Sequence, residues 1–436
     1  MTLSEINIYV REQNADGYLI YLPLARYAKV LRKEQMLQLK ECCERNELDK
    51  FPDSELKNYI GKTLVPSKNI FLTEYGIEGF TNMMILPNNI CNFKCTYCYS
   101  AQGRSGNAID LNSLKTAINY FLNRRQPQGR RFTISILGGG EPLLSWPLLK
   151  EALDYAYSLA DEHRLSLPIS IVTNGSIFSH DIANYMKMHN VSLGVSFDIL
   201  PEIQNRQRGH YETVKSNINQ FTEAGVDVAL NAVITLENID RMNDMLDAML
   251  TNTPRIKKVF FKSLISDNYF SSPKERMNYY RRFVDNFFEA LDKAKEYGIW
   301  LTSPYLNNAM CVSDRFCPGI FVVTSDGDIS ICPCIGSRKD KLFDKFIYGH
   351  ISENGKVEIN DKKLKLILSH NHNRNERCRD CIAHWHCAGG CYADNSTIGD
   401  DHDAQNAYCE SMQYFIERYI KKWRTRQTLW SRPCRC

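Results

Sequence analysis

Three cysteines fall within eight positions in "CNFKCTYC", at Cys91, Cys95 and Cys98, and no fourth stands beside them. Clustered thiols of this kind bind zinc or iron–sulfur clusters. A structural zinc and a cubic cluster each normally take four protein ligands. Three thiolates hold three irons of a [4Fe–4S] cube and leave the fourth iron for a ligand that is not protein. The competing reading is a zinc ion that borrows a distant ligand, for which C-x3-C-x2-C is an uncommon spacing. The trio follows the strand-like "TNMMILP". In a parallel sheet that loop lies at the carboxyl edge, where ligand sites gather.

No cysteine then appears until Cys311. Beyond it comes Cys317-x9-Gly327-x4-Cys332, followed by Cys378-x2-Cys381-x5-Cys387-x3-Cys391 and Cys409. With Cys311 these make eight thiolates, enough for two fully ligated [4Fe–4S] clusters. The zinc alternative is a pair of zinc sites, to which His384 and His386 in "CRDCIAHWHC" would add donors. Cys42 and Cys43 lie in a helical pattern and read as packing. Cys334 reads as a spare, and Cys434 and Cys436 as part of a terminal tail.

These residues need a large scaffold. The chain has 436 residues, 43% hydrophobic and 24% charged, which allows several domains with buried cores. Lys and Arg number 54 against 50 Asp and Glu, a balance that gives no electrostatic case for nucleic acid or an anionic membrane. The N-terminus lacks the basic-then-apolar pattern of a secretory signal, and no apolar run is long enough to cross a bilayer. The expectation is a soluble, cytoplasmic protein in which the clustered cysteines, among sixteen in all, serve as metal ligands more than as disulfides.

Three divisions are expected. In residues 1–80, "INIYV" and "YLIYL" flank a hairpin signal at Asp16-Gly17, "LARYAKVL" offers a third strand, and two helices follow before a linker near "VPSKN". In residues 81–300, six strand-like segments alternate with helical patterns: "TNMMILP", "FTISILGG", "ISIVTNG", "SLGVSF", "VALNAVIT" and "KKVFFKSL". Such alternation predicts parallel strands with right-handed crossovers, and six units predict a partial (β/α)6 barrel. Ser272-Pro273-Lys274-Glu275 predicts a capping box that opens the sixth helix, which stops at Gly298. Residues 301–436 are cysteine-rich and turn-rich.

The trio, with more of the chain, resembles the radical S-adenosylmethionine enzymes. In that family the open iron chelates the amino and carboxyl groups of S-adenosyl-L-methionine, and an electron from the cluster cleaves the cosubstrate to a 5′-deoxyadenosyl radical. Gly139-Gly140-Glu141-Pro142 is similar to the family's GGEP motif, which implies a contact with the methionine amino group. The resemblance likewise implies cosubstrate contacts at Tyr97, Ser176, Ser196 and Arg208. The His-Asp usual before that arginine is Gln204-Asn205 here, and Ser196 and Asp198 have the alternative role of capping the next segment. An external electron donor such as flavodoxin or ferredoxin is implied as well.

The later cysteines resemble the SPASM domain of radical enzymes that modify peptides and proteins. By that resemblance Cys311, Cys317, Cys332 and Cys391 hold one auxiliary cluster, and Cys378, Cys381, Cys387 and Cys409 the other, giving three [4Fe–4S] clusters in all. The first eighty residues resemble the winged-helix-like α+β domain that binds leader peptides, which implies a precursor peptide as partner. Sulfatase-maturing relatives carry an aspartate base where Pro333 follows Cys332 here. The whole arrangement resembles the streptide-forming enzymes, which join lysine to tryptophan, and implies a carbon–carbon cross-link in a ribosomal peptide. A thioether product is the alternative, and a non-catalytic iron–sulfur or zinc protein that senses redox state or docks peptides is the alternative of a different class. No residue is identified as the catalytic base.

Overall fold

The computed structural model describes residues 2–14, 17–64, 76–124, 131–264, 269–370, 376–398 and 402–424. The linker near "VPSKN" and Cys434 and Cys436 lie outside them. The chain begins with three antiparallel strands, β1 (Tyr9–Asn14), β2 (Gly17–Leu22) and β3 (Tyr27–Arg32), in the order β1-β2-β3. Helices α1 (Lys33–Glu44) and α2 (Ser54–Thr63) follow. Asp53 caps α2 by accepting the Leu56 N–H. Met36, Leu39 and Cys43 of α1 are buried with Ile20, Leu22, Leu31, Leu56 and Ile60, so Cys43 is packing, as its spacing predicts. Strand β2 is apolar at both parities, and Leu19 to Leu22 are all buried.

The alternating region forms β4 (Asn82–Ile85), α3 (Leu111–Leu122), β5 (Thr133–Ile136), α4 (Trp146–Glu162), β6 (Ile169–Thr173), α5 (His180–Met188), β7 (Ser192–Ser196), α6 (Pro201–Gln207), α7 (Tyr211–Glu223), β8 (Val228–Ile234), α8 (Met242–Asn252), β9 (Lys258–Ser263), α9 (Pro273–Glu296) and β10 (Trp300–Thr302). All six expected strands are present and pair in parallel. Alternate residues are buried, as in β8, and the intervening ones are only partly covered. Ser272 caps α9 through the Glu275 N–H, but the Glu275 carboxylate turns back to Ser271 instead of Ser272, so the capping box is displaced by one residue.

After α10 (Pro304–Met310) come β11 (Phe321–Val323), β12 (Asp328–Ser330), α11 (Phe343–Phe346), β13 (Ile347–Ile351), β14 (Val357–Ile359), α12 (Asp361–His370), α13 (His384–Cys387), α14 (Tyr392–Ile398) and α15 (His402–Arg424). Strand β11 pairs in parallel with β4, and β12 to β14 continue antiparallel. The result is a large, mostly parallel sheet ordered β10-β9-β8-β7-β6-β5-β4-β11-β12-β13-β14. It extends beyond the six-stranded unit that the alternation predicts, because the short apolar strands after residue 320 carry no helical crossovers to reveal them.

Two compact units divide the chain, and they do not follow three consecutive segments. One joins Met1–Thr73, Pro304–Cys317 and His370–Cys436; the other joins Glu74–Ser303 and Pro318–Ser369.

Candidate active site at the carboxyl ends of the parallel strands

The loop after β4 carries the cysteine trio. Buried Asn88 fixes its start: it accepts the Ile90 N–H at 3.0 Å and donates to the Glu141 carbonyl at 3.0 Å and to Ser145 Oγ at 2.8 Å. Donors point at two of the sulfurs. Arg104 Nη2 lies 3.2 Å from Cys98 Sγ, and Asn174 Nδ2 lies 3.8 Å from Cys91 Sγ. Burial pushes the Cys95 thiol up, with Arg208 opposing it.

The loop after β5 locks against this one. Gly140 N–H donates to the Asn88 carbonyl at 2.8 Å and Glu141 N–H to the Ile90 carbonyl at 2.7 Å. A Cβ on Gly140 would stand 1.8 Å from the Ile90 carbonyl oxygen, so only glycine permits this approach. Gly139 has φ +62° and accepts from Ser100 Oγ at 2.8 Å. The Glu141 side chain is 1% exposed and engaged on both oxygens: Oε1 accepts from Thr173 Oγ1 and Leu143 N–H, and Oε2 from Asn174 N–H. Its carboxylate therefore ties β5 to the end of β6, and burial raises its pKa against those bonds. Any contribution of Glu141 to ligand binding runs through its backbone.

Ser176 sits just past β6, its Oγ accepting from Asn92 Nδ2 at 2.9 Å. Ser196 ends β7 on the partly covered face. Asp198 does not cap the next helix. Both its oxygens accept the Tyr97 hydroxyl, at 2.9 and 2.7 Å, and Oδ1 also accepts the Val233 N–H. Arg208 Nη1 donates to the same hydroxyl at 3.0 Å, so Tyr97, Asp198 and Arg208 converge. Gln204, in place of the usual histidine, accepts the Asp198 N–H and donates to the Gly209 carbonyl. Burial works against the Arg208 charge, but Tyr97, Cys95 and Asp198 outweigh it and its pKa rises. Among the described residues the buried Arg208 Nε has no hydrogen-bond partner. An orphaned guanidinium donor beside the cysteine loop fits a carboxylate ligand.

Lys262, near the end of β9, was not singled out in the sequence. It pairs in register with Val233, the neighbour of the Asp198 bond, and lies over the Phe260 ring at 5.4 Å. Among the described residues no hydrogen bond or ion pair holds its ammonium. Surrounding protein lowers its pKa by desolvation, Arg208 adding to the effect, although the side chain remains open to solvent. Its signal was its parity with Phe260, directly after the apolar run Val259–Phe261. Cys334 is exposed and lines a recess with Ser100, Gly139 and Asp340.

Of the second cysteine group, Cys378, Cys381, Cys387 and Cys409 lie in one compact unit within electrostatic reach of one another. Burial pushes the Cys381 thiol up to about 11 and raises Cys387 further, the neighbouring thiols adding to it. Burial raises Cys409 as well, and desolvated thiols such as these suit a metal centre that stabilises thiolates. His386 is spent elsewhere, Nε2 on Tyr21 and Nδ1 on backbone carbonyls, and His384 Nδ1 bonds the Cys378 carbonyl, so His386 is not available as a zinc ligand. Cys317 and Cys391 belong to the same unit and Cys332 to the other. Cys311 is disulfide-bonded in this structure and would ligate only when reduced.

Comparison with protein families matches residues 74–249 to the Radical SAM superfamily and residues 317–382 to the SPASM iron-sulfur cluster-binding domain. The chain therefore carries a radical SAM domain and a SPASM domain. The radical SAM match covers the loops after β4, β5, β6 and β7 described above. The chain is 23% identical to a cysteine-type anaerobic sulfatase-maturating enzyme of Clostridium novyi, over 78% of this chain and 96% of that one. It is 29% identical to the radical SAM cyclopropyl synthase TigE of Paramaledivibacter caminithermalis, over 39% of each. Among solved structures, anSMEcpe with bound AdoMet has a TM-score of 0.64 at 20% identity, covering 79% of this chain and 99% of that one. Streptococcus suis SuiB bound to precursor peptide SuiA has a TM-score of 0.53 at 15% identity, covering 89% and 95%.

Proposed function

We propose that this chain is a radical SAM enzyme that installs a carbon–carbon cross-link between side chains of a ribosomally made peptide. The observation that carries the reading is the convergence of the three-cysteine loop with Arg208, whose buried Nε lacks a partner among the described residues. Cys91, Cys95 and Cys98 would hold a [4Fe–4S] cluster; with S-adenosyl-L-methionine bound there, the pair supplies a 5′-deoxyadenosyl radical. Arg208 holds the cosubstrate carboxylate, and Tyr97 and Asp198 hold Arg208. Backbone at Gly139 and Gly140 and the hydroxyls of Ser176 and Ser196 line the rest. This positioning is the protein's main contribution to a hydrogen abstraction. Eight SPASM cysteines would fully ligate two further clusters, leaving them to pass electrons and not to bind substrate.

A peptide substrate is supported by SuiB, whose structure holds its precursor peptide, and by the N-terminal sheet. Strand β3 is an outer strand of that sheet and exposes Val30, a surface to which an extended peptide adds by backbone hydrogen bonds. A second reading, oxidation of a protein cysteine as in the Clostridium novyi relative, draws on the likeness along that enzyme's length; Pro333 after Cys332 speaks against it. The test is tandem mass spectrometry of peptides encoded by short reading frames beside the gene, after anaerobic turnover. A peptide lacking one hydrogen pair, its two side chains joined, supports the proposal. Formylglycine, a thioether or loss of carbon dioxide overturns it.

A further inference from the structure

The N-terminal sheet has two covered faces, and only one belongs to its own helices. Ile20 and Leu22 join the core with α1 and α2, while Asn7, Tyr9, Arg11 and Tyr21, of the opposite parity, meet the C-terminal cysteine segment of the same compact unit. Tyr9 and Tyr21 are cross-strand partners, 2% and 1% exposed. Tyr9 stacks on His384 and Tyr21 on His386, with ring centroids 5.6 and 5.7 Å apart. Asn7 accepts the Trp385 Nε1–H at 3.0 Å, and Arg11 donates to Gln413 at 2.6 Å and pairs with Glu417 on α15. The short helix α13 is thus gripped at three consecutive side chains, and Cys387 is its last residue.

Tyr21 and His386 form the centre of the grip. His386 Nδ1 faces the carbonyls of Cys311, at 2.7 Å, and Asn308, at 3.1 Å, so it carries the ring proton and donates. Nε2 then has a lone pair and accepts the Tyr21 hydroxyl at 2.7 Å. One buried relay, Tyr21 O–H to His386 to the Cys311 carbonyl, joins the N-terminal sheet to the backbone at two candidate ligands.

We propose that the N-terminal sheet is a positioning element of the auxiliary iron–sulfur sites, with Tyr21 and His386 fixing the backbone that presents Cys387 to one cluster and Cys311 to the other. This rests on reading those cysteines as cluster ligands. Removing residues 1–73 would therefore damage the auxiliary site as well as peptide recognition.

The test uses the full-length chain, reconstituted anaerobically, with Tyr21→Phe against wild type. Iron and sulfide per chain, the electron paramagnetic resonance spectrum of the reduced protein and the midpoint potentials are read together with thermal stability. Tyr21→Phe is expected to shift the spectrum and potential of an auxiliary cluster, or to lose about four irons per chain, while the cosubstrate-bound signal and peptide-free cosubstrate cleavage persist. Tyr18→Phe, of the other parity on β2, is the control and should change none of these. If Tyr21→Phe fails to fold, Asn7→Gly provides the same readout, since glycine keeps the left-handed backbone at φ 58° and removes only the bond to Trp385. Wild-type protein without iron or sulfide refutes the cluster reading. A loaded wild type with variants identical in iron, spectrum and potential refutes the positioning role alone.

Discussion

Gly140→Ala should disable cosubstrate binding without touching a ligand. The new Cβ would lie 1.8 Å from the Ile90 carbonyl oxygen and 2.3 Å from Asn88 Oδ1, where ordinary contact begins near 3.4 Å, so the two loops must part by more than an ångström. Parting breaks the Gly140-to-Asn88 and Glu141-to-Ile90 backbone bonds, 2.8 and 2.7 Å long. Each contributes about 1 kcal/mol net, and overpacking adds about 1–3 kcal/mol, a loss of about 3–5 kcal/mol in all. A misplacement of about 1 Å at a reacting centre costs about 10²-fold in rate. Calorimetric titration with S-adenosylmethionine and the rate of 5′-deoxyadenosine release measure both effects, with iron content as the control. Wild-type affinity and rate in Gly140→Ala would refute the claim that this close approach shapes the site.

Arg208→Lys keeps the charge but loses the planar fork, and affinity for S-adenosylmethionine should fall about 10- to 100-fold by calorimetry, as expected for one charge-assisted bond. Glu141→Gln puts an amide where a carboxylate accepts three bonds; thermal denaturation should show about 1–3 kcal/mol lost, and an unchanged Tm would contradict the locking role. Lys262→Met removes a solvent-open ammonium in register with Val233, whose N–H binds Asp198; product formation should fall while Tm changes little, and full activity would place Lys262 outside the site.

The alternating scaffold was legible because its strands recur with helices between them, and their register brings the loops after β4, β5 and β6 together at one edge. Ser272 and Asp53 marked helix starts through their own side chains. What the sequence hid is long-range. Asp198 looks like a capping residue until Tyr97, about a hundred positions earlier, is seen bonding it. Lys262 looks like an ordinary strand end because the groups that act on it, Arg208 among them, come from other segments. The N-terminal module looked independent, although "YLIYL", apolar at both parities, already requires cover on both faces of β2. The identity of the covering segment, some 365 residues away, is not a local property.

The most direct test of the account is reductive cleavage of S-adenosylmethionine by the reconstituted chain. With dithionite, wild-type protein should release 5′-deoxyadenosine and methionine and hold about twelve irons. Cys91→Ala, Cys95→Ala and Cys98→Ala should each abolish the release and retain about eight irons. Stoichiometric zinc, no acid-labile sulfide and no 5′-deoxyadenosine from the wild type would contradict it.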